Sequence, residues 1–334
     1  MATIYQVSDL AGVSLATVSR VMNNKAKVSE KTAAKVRAAM EQLGYRPNSM
    51  AQSLASNRSN SVGILVSELH GPFYGSMMSA IETQLRASSK HAIITAGHSN
   101  EKDELDGIEF LIGRSCDALI MHVEAVSDEY LIELSQGSTP IFLINRHIPE
   151  ISDKCISLNN ESGGYLATKS LIEQGHKDLA YISGPLWKED ARERLAGHKR
   201  ALAESGISLE QTLMVEGDFT ETGGSEAMTE LLNKKLPMTA VVCANDEMAC
   251  AAMGVIREQG LNIPDDISVM GFDNVTFASY LYPKLSTIDY PIYAMGQMSA
   301  RLVLKTVYKK ELEIEHLFEP KLIERHSVKK IIPQ

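Results

Sequence analysis

The sequence is short of the residues around which metal sites, redox centres and disulfide scaffolds are built. Its four cysteines, Cys116, Cys155, Cys243 and Cys250, fall into no C-x-x-C or zinc-type spacing, so neither a thiol redox pair nor a structural zinc site is expected. They read as small buried hydrophobes of a protein from a reducing compartment. Nine histidines occur without an H-E-x-x-H or paired-ligand pattern, and no metal or cofactor is expected. G-x-S-x-G, G-x-x-x-x-G-K-[ST] and G-x-G-x-x-G are all missing, which removes the usual signs of a serine hydrolase, a P-loop enzyme and a dinucleotide-binding enzyme. No apolar run approaches the ~20 residues that span a bilayer. The N-terminus has no charged-then-apolar secretion signal, so a cytoplasmic protein that touches no membrane is expected. An enzyme is not the expected reading.

Charge is present but unevenly spread. The whole chain carries 33 Lys+Arg and 42 Asp+Glu, a net of −9, which by itself argues against a nucleic-acid partner. Residues 1–60 hold eight bases (Arg20, Lys25, Lys27, Lys31, Lys35, Arg37, Arg46, Arg58) against Asp9, Glu30 and Glu41, a net of +5. The remainder is therefore at −14. A basic head on an acidic body suggests a polyanion-binding arm.

The head reads as three short helices. Thr3 caps one through Val7, Leu10 and Ala11, which exits at Gly12. Ser14 caps a second reaching about Met22, and a third starts near Ser29, with Ala33, Val36, Met40 and Leu43 on one stripe before Gly44. Two helices joined by a short Gly-containing turn form a helix-turn-helix, whose second helix enters the DNA major groove. At about 100° per residue, Val18, Val21 and Met22 face the core, while Ala16 and Arg20 lie opposite with Ser19 beside them and Leu15 on the flank. Arg20 suits bidentate contact with guanine, and Ala16 or Leu15 a thymine methyl. Thr17, Ser19 and the amides at the helix start suit phosphates. Residues 47–60 read as a linker with a helical middle on Met50, Ala51 and Leu54. About nine residues are too few for a stable lone helix, so the segment should fold only on a partner. If two copies pair there, Leu54 can wedge into the minor groove.

From Ser61 onward short apolar runs alternate with helical stretches. Strands are expected at Val62–Ser67, Ala92–Thr95, Ala118–His122, Ile141–Ile144, Ile156–Leu158, Leu179–Ser183, Met214–Glu216, Ala240–Cys243 and Val269–Phe272, with helices near 75–88, 162–174 and 247–259. That alternation means parallel sheets covered by helices, an α/β body. Its length and strand number suggest two α/β subdomains. In such folds ligands lie beyond the carboxyl ends of strands. There the sequence offers a loop His70–Tyr74, then Asn145-Arg146, the run Glu189–Arg194, Asn245-Asp246, Asp273-Asn274 and Tyr290. Aromatic faces and fork-like polar groups at converging strand ends suit a neutral polyol such as a sugar.

The segments Ala11-Gly12-Val13-Ser14-Leu15-Ala16-Thr17-Val18-Ser19-Arg20-Val21, Gly44-Tyr45-Arg46-Pro47-Asn48, Arg194-Leu195-Ala196-Gly197, Ala244-Asn245-Asp246-Glu247-Met248-Ala249 and Gly271-Phe272-Asp273 resemble, in order and spacing, the lactose/galactose repressor family. The resemblance covers essentially the whole chain. Phe142–Arg146, Ala227–Leu232, Tyr290-Pro291-Ile292 and Arg325-His326-Ser327 lean toward its galactose-type members. The family implies a helix-turn-helix domain over 1–46, a hinge helix and linker over 47–60, and a core over 61–334. That core would be two doubly wound parallel-sheet subdomains of the periplasmic-binding-protein type, one about 61–159 plus 291–319 and the other about 160–290 plus 320–328.

The resemblance also implies a homodimeric repressor on palindromic, double-stranded operator DNA, released by a small sugar effector, D-galactose or a galactoside. Its DNA-facing residues would be Thr3, Ser14, Leu15, Ala16, Thr17, Ser19, Arg20, Asn23 and Leu54. In the cleft Phe73 would stack on the sugar, while Asn145, Arg146, Arg194, Asn245, Asp273 and Tyr290 would bond its hydroxyls. Gly71 stands where many sugar-binding relatives carry Asp or Asn, and Asn145 replaces a more frequent Asp. The sequence stops at Gln334 without a leucine-heptad tail, so a dimer is the expected unit. Two alternatives remain open at this point: a sugar-binding protein acting without DNA, and a regulator whose ligand is a corepressor.

Overall fold

The computed structural model describes residues 2–22, 28–46, 58–209 and 212–331. The chain forms two compact units, Met1–Asn60 and Ser61–Gln334. Asn23, Leu54 and most of the 47–60 linker lie outside the described residues.

The head holds α1 (Ile4–Ala11), α2 (Leu15–Met22) and α3 (Glu30–Gln42). Thr3 starts α1 with a reciprocal capping box, its hydroxyl accepting from the Gln6 N–H while the Gln6 side chain accepts from the Thr3 N–H. Gly12 ends the helix at φ 63°, a left-handed position that costs a glycine nothing. The Ser14 hydroxyl accepts from Thr17 N–H at 3.2 Å and Ser29 does the same for Thr32, so both later helices open on a serine. The core is Val7, Ala11, Val18, Val21, Ala33, Val36 and Ala39, with Met22, Met40 and Leu43 packed around it. Leu10 departs from the expected stripe and is 46% exposed. It lies three positions from Val7 but directly before Ala11, and the inner face of this short helix is taken by Ile4, Val7 and Ala11.

The body has two lobes. In the N-lobe, β1 (Ser61–Val66), β2 (His91–Ala96), β3 (Ala118–Met121), β4 (Ile141–Ile144), β5 (Cys155–Leu158) and β11 (Leu317–Phe318) form a parallel sheet ordered β11-β5-β4-β3-β1-β2. It is covered by α4 (Pro72–Arg86), α5 (Glu101–Gly113), α6 (Asp128–Leu134) and α11 (Ile292–Thr306). In the C-lobe, β6 (Leu179–Ser183), β7 (Leu213–Glu216), β8 (Ala240–Cys243) and β9 (Ser268–Met270) form the parallel sheet β7-β6-β8-β9. Its helices are α7 (Asn160–Glu173), α8 (Glu189–Glu204), α9 (Glu221–Asn233) and α10 (Asp246–Glu258), and β10 (Thr287–Asp289) pairs antiparallel with β12 (Lys321–Ile323) at its flank. β1, β3, β4, β6 and β8 are apolar runs buried almost throughout, as a sheet covered on both faces requires.

The backbone passes between lobes around Asn159, around Pro291 and around Glu319, so each lobe is assembled from non-adjacent stretches. α7 and α8 cross with almost no separation at Gly164 and Gly197. A Cβ on Gly164 would strike the Arg194 carbonyl, and one on Gly197 the Glu161 carbonyl. Those two glycines seat the helix that carries Arg194 against the helix that begins with Asn160. Cys116, Cys155 and Cys243 are buried and Cys250 half-buried, all as free thiols.

Candidate functional site

In the head, α2 turns Val18 and Val21 inward and leaves Ala16 and Arg20 exposed, with Leu15 37% exposed and Thr17 and Ser19 half-covered. Thr3 and Ser14 are exposed cap residues. The face holding Leu15, Ala16 and Arg20 is therefore open, one cation flanked by two apolar groups, as major-groove reading of base edges needs.

In the body, side chains from the carboxyl ends of both sheets meet between the lobes. Arg194, in the second turn of α8, is 3% exposed and organises the cluster. Its Nε donates to Asn160 Oδ1 at 3.0 Å and its Nη1 to the Ala244 carbonyl at 2.6 Å. Asp190, one turn earlier on the same helix, lies 3.8 Å from Nη2, and Asp273 lies 3.6 Å from Nη1. The guanidinium carbon sits 3.8 Å from the centroid of Phe272 and 5.7 Å from that of Tyr290. Asn145 closes a ring of contacts: it donates to Asp190 Oδ2 at 3.3 Å and accepts from Asn160 Nδ2 at 3.4 Å. Because Asn145 belongs to the N-lobe and Asp190 to the C-lobe, this ring ties the lobes together.

The aromatic side is equally compact. Phe73 meets Tyr290 edge to face at 5.0 Å and Tyr74 at 5.2 Å, and Tyr74 meets His122 at 5.5 Å. Phe73 and Tyr74 occupy the first turn of α4 rather than a loop, because Pro72 is suited to the first helical position and starts the helix there. Asn145 has φ 60° and Asp273 φ 111°, backbone conformations that non-glycine residues seldom adopt and that gather at functional sites. Asp273 Oδ1 and the Tyr290 hydroxyl are buried without a hydrogen-bond partner. Burial raises the Asp273 carboxyl well above its ordinary range, against the pull of Arg194. Burial raises the Tyr290 phenol likewise. Two unsatisfied polar atoms beside an aromatic wall are what a hydroxyl-bearing ligand would satisfy.

The expected residues do not all join this cluster. Phe73, Asn145, Arg194, Asp273 and Tyr290 do. Arg146 is committed within the N-lobe, donating to Asp128 at 2.6 Å and to the Val123 carbonyl at 3.4 Å. Asn245 borders the cluster but caps α10, its Oδ1 accepting from Met248 N–H and its Nδ2 donating to the Phe219 carbonyl, both at 2.9 Å. Sequence reading reaches Asp190 only as part of the run Glu189–Arg194, and does not reach Asn160, Phe219 or Phe272. The i, i+4 spacing of Asp190 and Arg194, and the placement of Phe219 just beyond β7, were signals available for two of them. Next to the ring a cavity of about 630 Å³ opens between the lobes, lined among others by Asn145, Asn160, Glu189, Glu193 and His147. Burial, with Glu189 adding to it, pushes the Glu193 carboxyl up to about 7.

A helix-turn-helix head joined to a two-lobed body with a polar cleft is the plan of a ligand-responsive transcriptional regulator, and the chain belongs to the lacI family of bacterial regulatory proteins. The model of that family matches residues 3–48, and the periplasmic binding protein-like domain matches residues 168–328. Over 98% of the chain and 96% of the relative, it is 42% identical to the HTH-type transcriptional regulator GalR of Escherichia coli K12. It is 37% identical to GalS of Salmonella typhimurium LT2 over 98% of the chain and 97% of that relative. The lac repressor dimer bound to operator and the anti-inducer ONPF superimposes with a TM-score of 0.87 at 30% identity, over 98% of this chain and 99% of that one. The protein is a DNA-binding, sugar-responsive transcriptional repressor. No helix among the described residues is long and apolar enough to cross a membrane.

Proposed function

We propose that the protein is a homodimeric repressor of genes for galactose use, binding a palindromic operator and leaving it when D-galactose or a galactoside enters the cleft. The observation that carries the ligand assignment is the pair of buried, unpartnered oxygens on Asp273 and Tyr290, set beside the Arg194 guanidinium and the Phe73 ring. A sugar hydroxyl can donate to the carboxylate and another can meet the phenol, while an apolar C–H face packs on Phe73. The cluster holds one cation and two carboxylates in close contact, which favours a neutral ligand over a sugar phosphate. The likeness to GalR and GalS supports galactose among neutral sugars.

In the head, Leu15, Ala16 and Arg20 read bases, with Thr3, Ser14, Thr17, Ser19 and Asn23 toward phosphates and Leu54 at the centre of the site. In the body, Phe73, Asn145, Arg194, Asp273 and Tyr290 hold the sugar, with Asn245 and Arg146 bracing the strand ends beside it. Because Asn145 and Asp190 bond across the lobes, a ligand in the cluster alters how the lobes close, and closure is the motion that reaches the heads. Such coupling is reciprocal: operator must weaken sugar binding by the factor by which sugar weakens operator binding, about 5–150-fold for about 1–3 kcal/mol. The deciding experiment is a sugar panel against operator-bound protein at fixed salt, read by fluorescence anisotropy, since phosphate contacts make affinity steeply salt-dependent. D-galactose is expected to release the operator. Release by none of the sugars refutes the proposal, and tighter binding would make the ligand a corepressor.

A further inference from the structure

One pair of charges spans the cleft outside the cluster described above. Lys188, just before α8 in the C-lobe, places its ammonium 2.7 Å from Glu124 Oε2 and 3.1 Å from Ser99 Oγ in the N-lobe. The side chains are only 10% and 12% exposed. The N-lobe has a socket ready for that ammonium. Ser99 and Ser67 both donate to Glu124, the latter at 3.3 Å. The Glu104 carboxylate, itself 1% exposed, accepts from the N–H groups of Glu124, Ala125 and Val126 at 2.8 to 2.9 Å and fixes the loop that presents Glu124. Gly97 makes room for it, since a Cβ there would come within 2.6 Å of Glu104 Cγ. Burial pushes the Glu124 carboxyl upward, but His122 and Lys188 override it and hold the group below its ordinary value.

The bridge stands directly beside the sugar cluster. The Lys188 ammonium is 5.6 Å from the centroid of Phe219, the ring that Arg194 approaches to the same distance. On the other lobe Ser67 bonds both Glu124 and His122, and His122 abuts Phe73 and Tyr74. Phe219 and His122 thus separate the bridge from the cluster by one ring on each side.

We infer that the Lys188–Glu124 pair walls off this end of the cleft and bars a second sugar ring from extending in this direction. The inference rests on the sugar reading above and adds to it a specificity that neither residue's position in the sequence announces. A monosaccharide held by Phe73, Arg194, Asp273 and Tyr290 leaves the bridge intact and the lobes latched over it. A second ring directed this way must part the two side chains and leave each charge buried without its partner, which is strongly unfavourable.

The test is calorimetric titration of the full-length protein with D-galactose and with two disaccharides, extended from C1 or from C6 of the galactose ring. Wild type is expected to bind D-galactose at least tenfold tighter than the disaccharide whose second ring points toward the bridge. Lys188→Ala with Glu124→Ala, which removes both charges together, is expected to narrow that preference at least tenfold for one disaccharide while keeping D-galactose affinity within a few fold. Should that double variant fail to fold, the near-isosteric pair Lys188→Met with Glu124→Gln carries the same expectation for a smaller gain. Equal wild-type binding of both disaccharides and D-galactose overturns the inference, as does an unchanged preference in the folded double variant. If D-galactose binds and the preference does not move, only the inference falls. If no sugar binds the wild type, the sugar reading falls and takes the inference with it.

Discussion

Arg194 and Asp273 face each other at 3.6 Å with side chains 4% and 9% exposed, a separation just beyond hydrogen-bonding range. The carboxylate oxygen on that side has no other partner. The arginine, by contrast, is held on its remaining edges by Asn160, the Ala244 carbonyl and the Phe272 ring. One member of the pair is fully positioned and the other is left wanting a donor. Arg194→Ala is expected to abolish release by sugar while the operator is still bound, as measured by anisotropy with and without D-galactose. Removing one partner of a buried pair should also cost the body about 3–5 kcal/mol in denaturant unfolding. Retained induction would take Arg194 out of the pocket.

Arg20 is exposed on α2 beside Ala16, so its loss should leave the head's fold untouched. Arg20→Ala is expected to weaken the cognate operator by about 1–3 kcal/mol and to relax preference at one base pair. Competition binding on single-substituted operators measures both. An equal loss on random DNA would instead mark Arg20 as a phosphate contact.

The crossing of α7 and α8 makes a prediction far from any ligand. Gly197→Ala would press a methyl onto the Glu161 carbonyl, forcing the helices apart and shifting Arg194 from Asn160. Overpacking of this kind costs about 1–3 kcal/mol. Thermal unfolding should register the loss, and sugar affinity should fall with it. A variant as stable as wild type would show that the crossing can relax.

Glu193 gives the stability of the body a pH signature. Its carboxyl is raised from 4.5 to about 7 chiefly by burial, so the folded protein prefers the protonated form. The stability this group supplies is complete below about pH 4.5 and is lost as pH rises through about 7. Glu193→Gln should therefore leave stability unchanged at low pH and raise it above pH 7, by about 1–2 kcal/mol given partial solvent access. Chemical denaturation of both proteins at pH 5 and pH 8 measures the difference. A variant that loses stability at pH 8 would mean the ionised carboxylate has a favourable partner.

Much of the fold was legible because burial on both faces of a parallel sheet leaves unbroken apolar runs, such as Ile141–Ile144 and Ala240–Cys243. Cap chemistry was equally plain at Thr3, Ser14 and Ser29. The site was legible only where residues end strands. Asp273 and Tyr290 were found that way, and Arg194 came within reach of the strand near 180. Arg146 ends a strand too, yet pairs with Asp128 in the next helix over, a choice that strand-end position does not reveal. Glu124 and Lys188 could not have been matched in advance, because 64 residues and a change of lobe separate them. Phe73 lies in a helix rather than the expected loop because Pro72 starts α4 there. Leu10 shows the limit of periodicity in an eight-residue helix, whose inner face is filled by Ile4, Val7 and Ala11.

The interleaving of the lobes bears on how the protein is born. The N-lobe sheet begins at Ser61, yet its edge strand is Leu317–Phe318 and its covering helix is Ile292–Thr306. A nascent chain has synthesised the entire C-lobe sheet before the first lobe can be completed. The N-lobe half of the sugar cleft is therefore completed only when nearly the whole polypeptide has been made, whereas the head, encoded first, can fold while its own sensor is still unfinished.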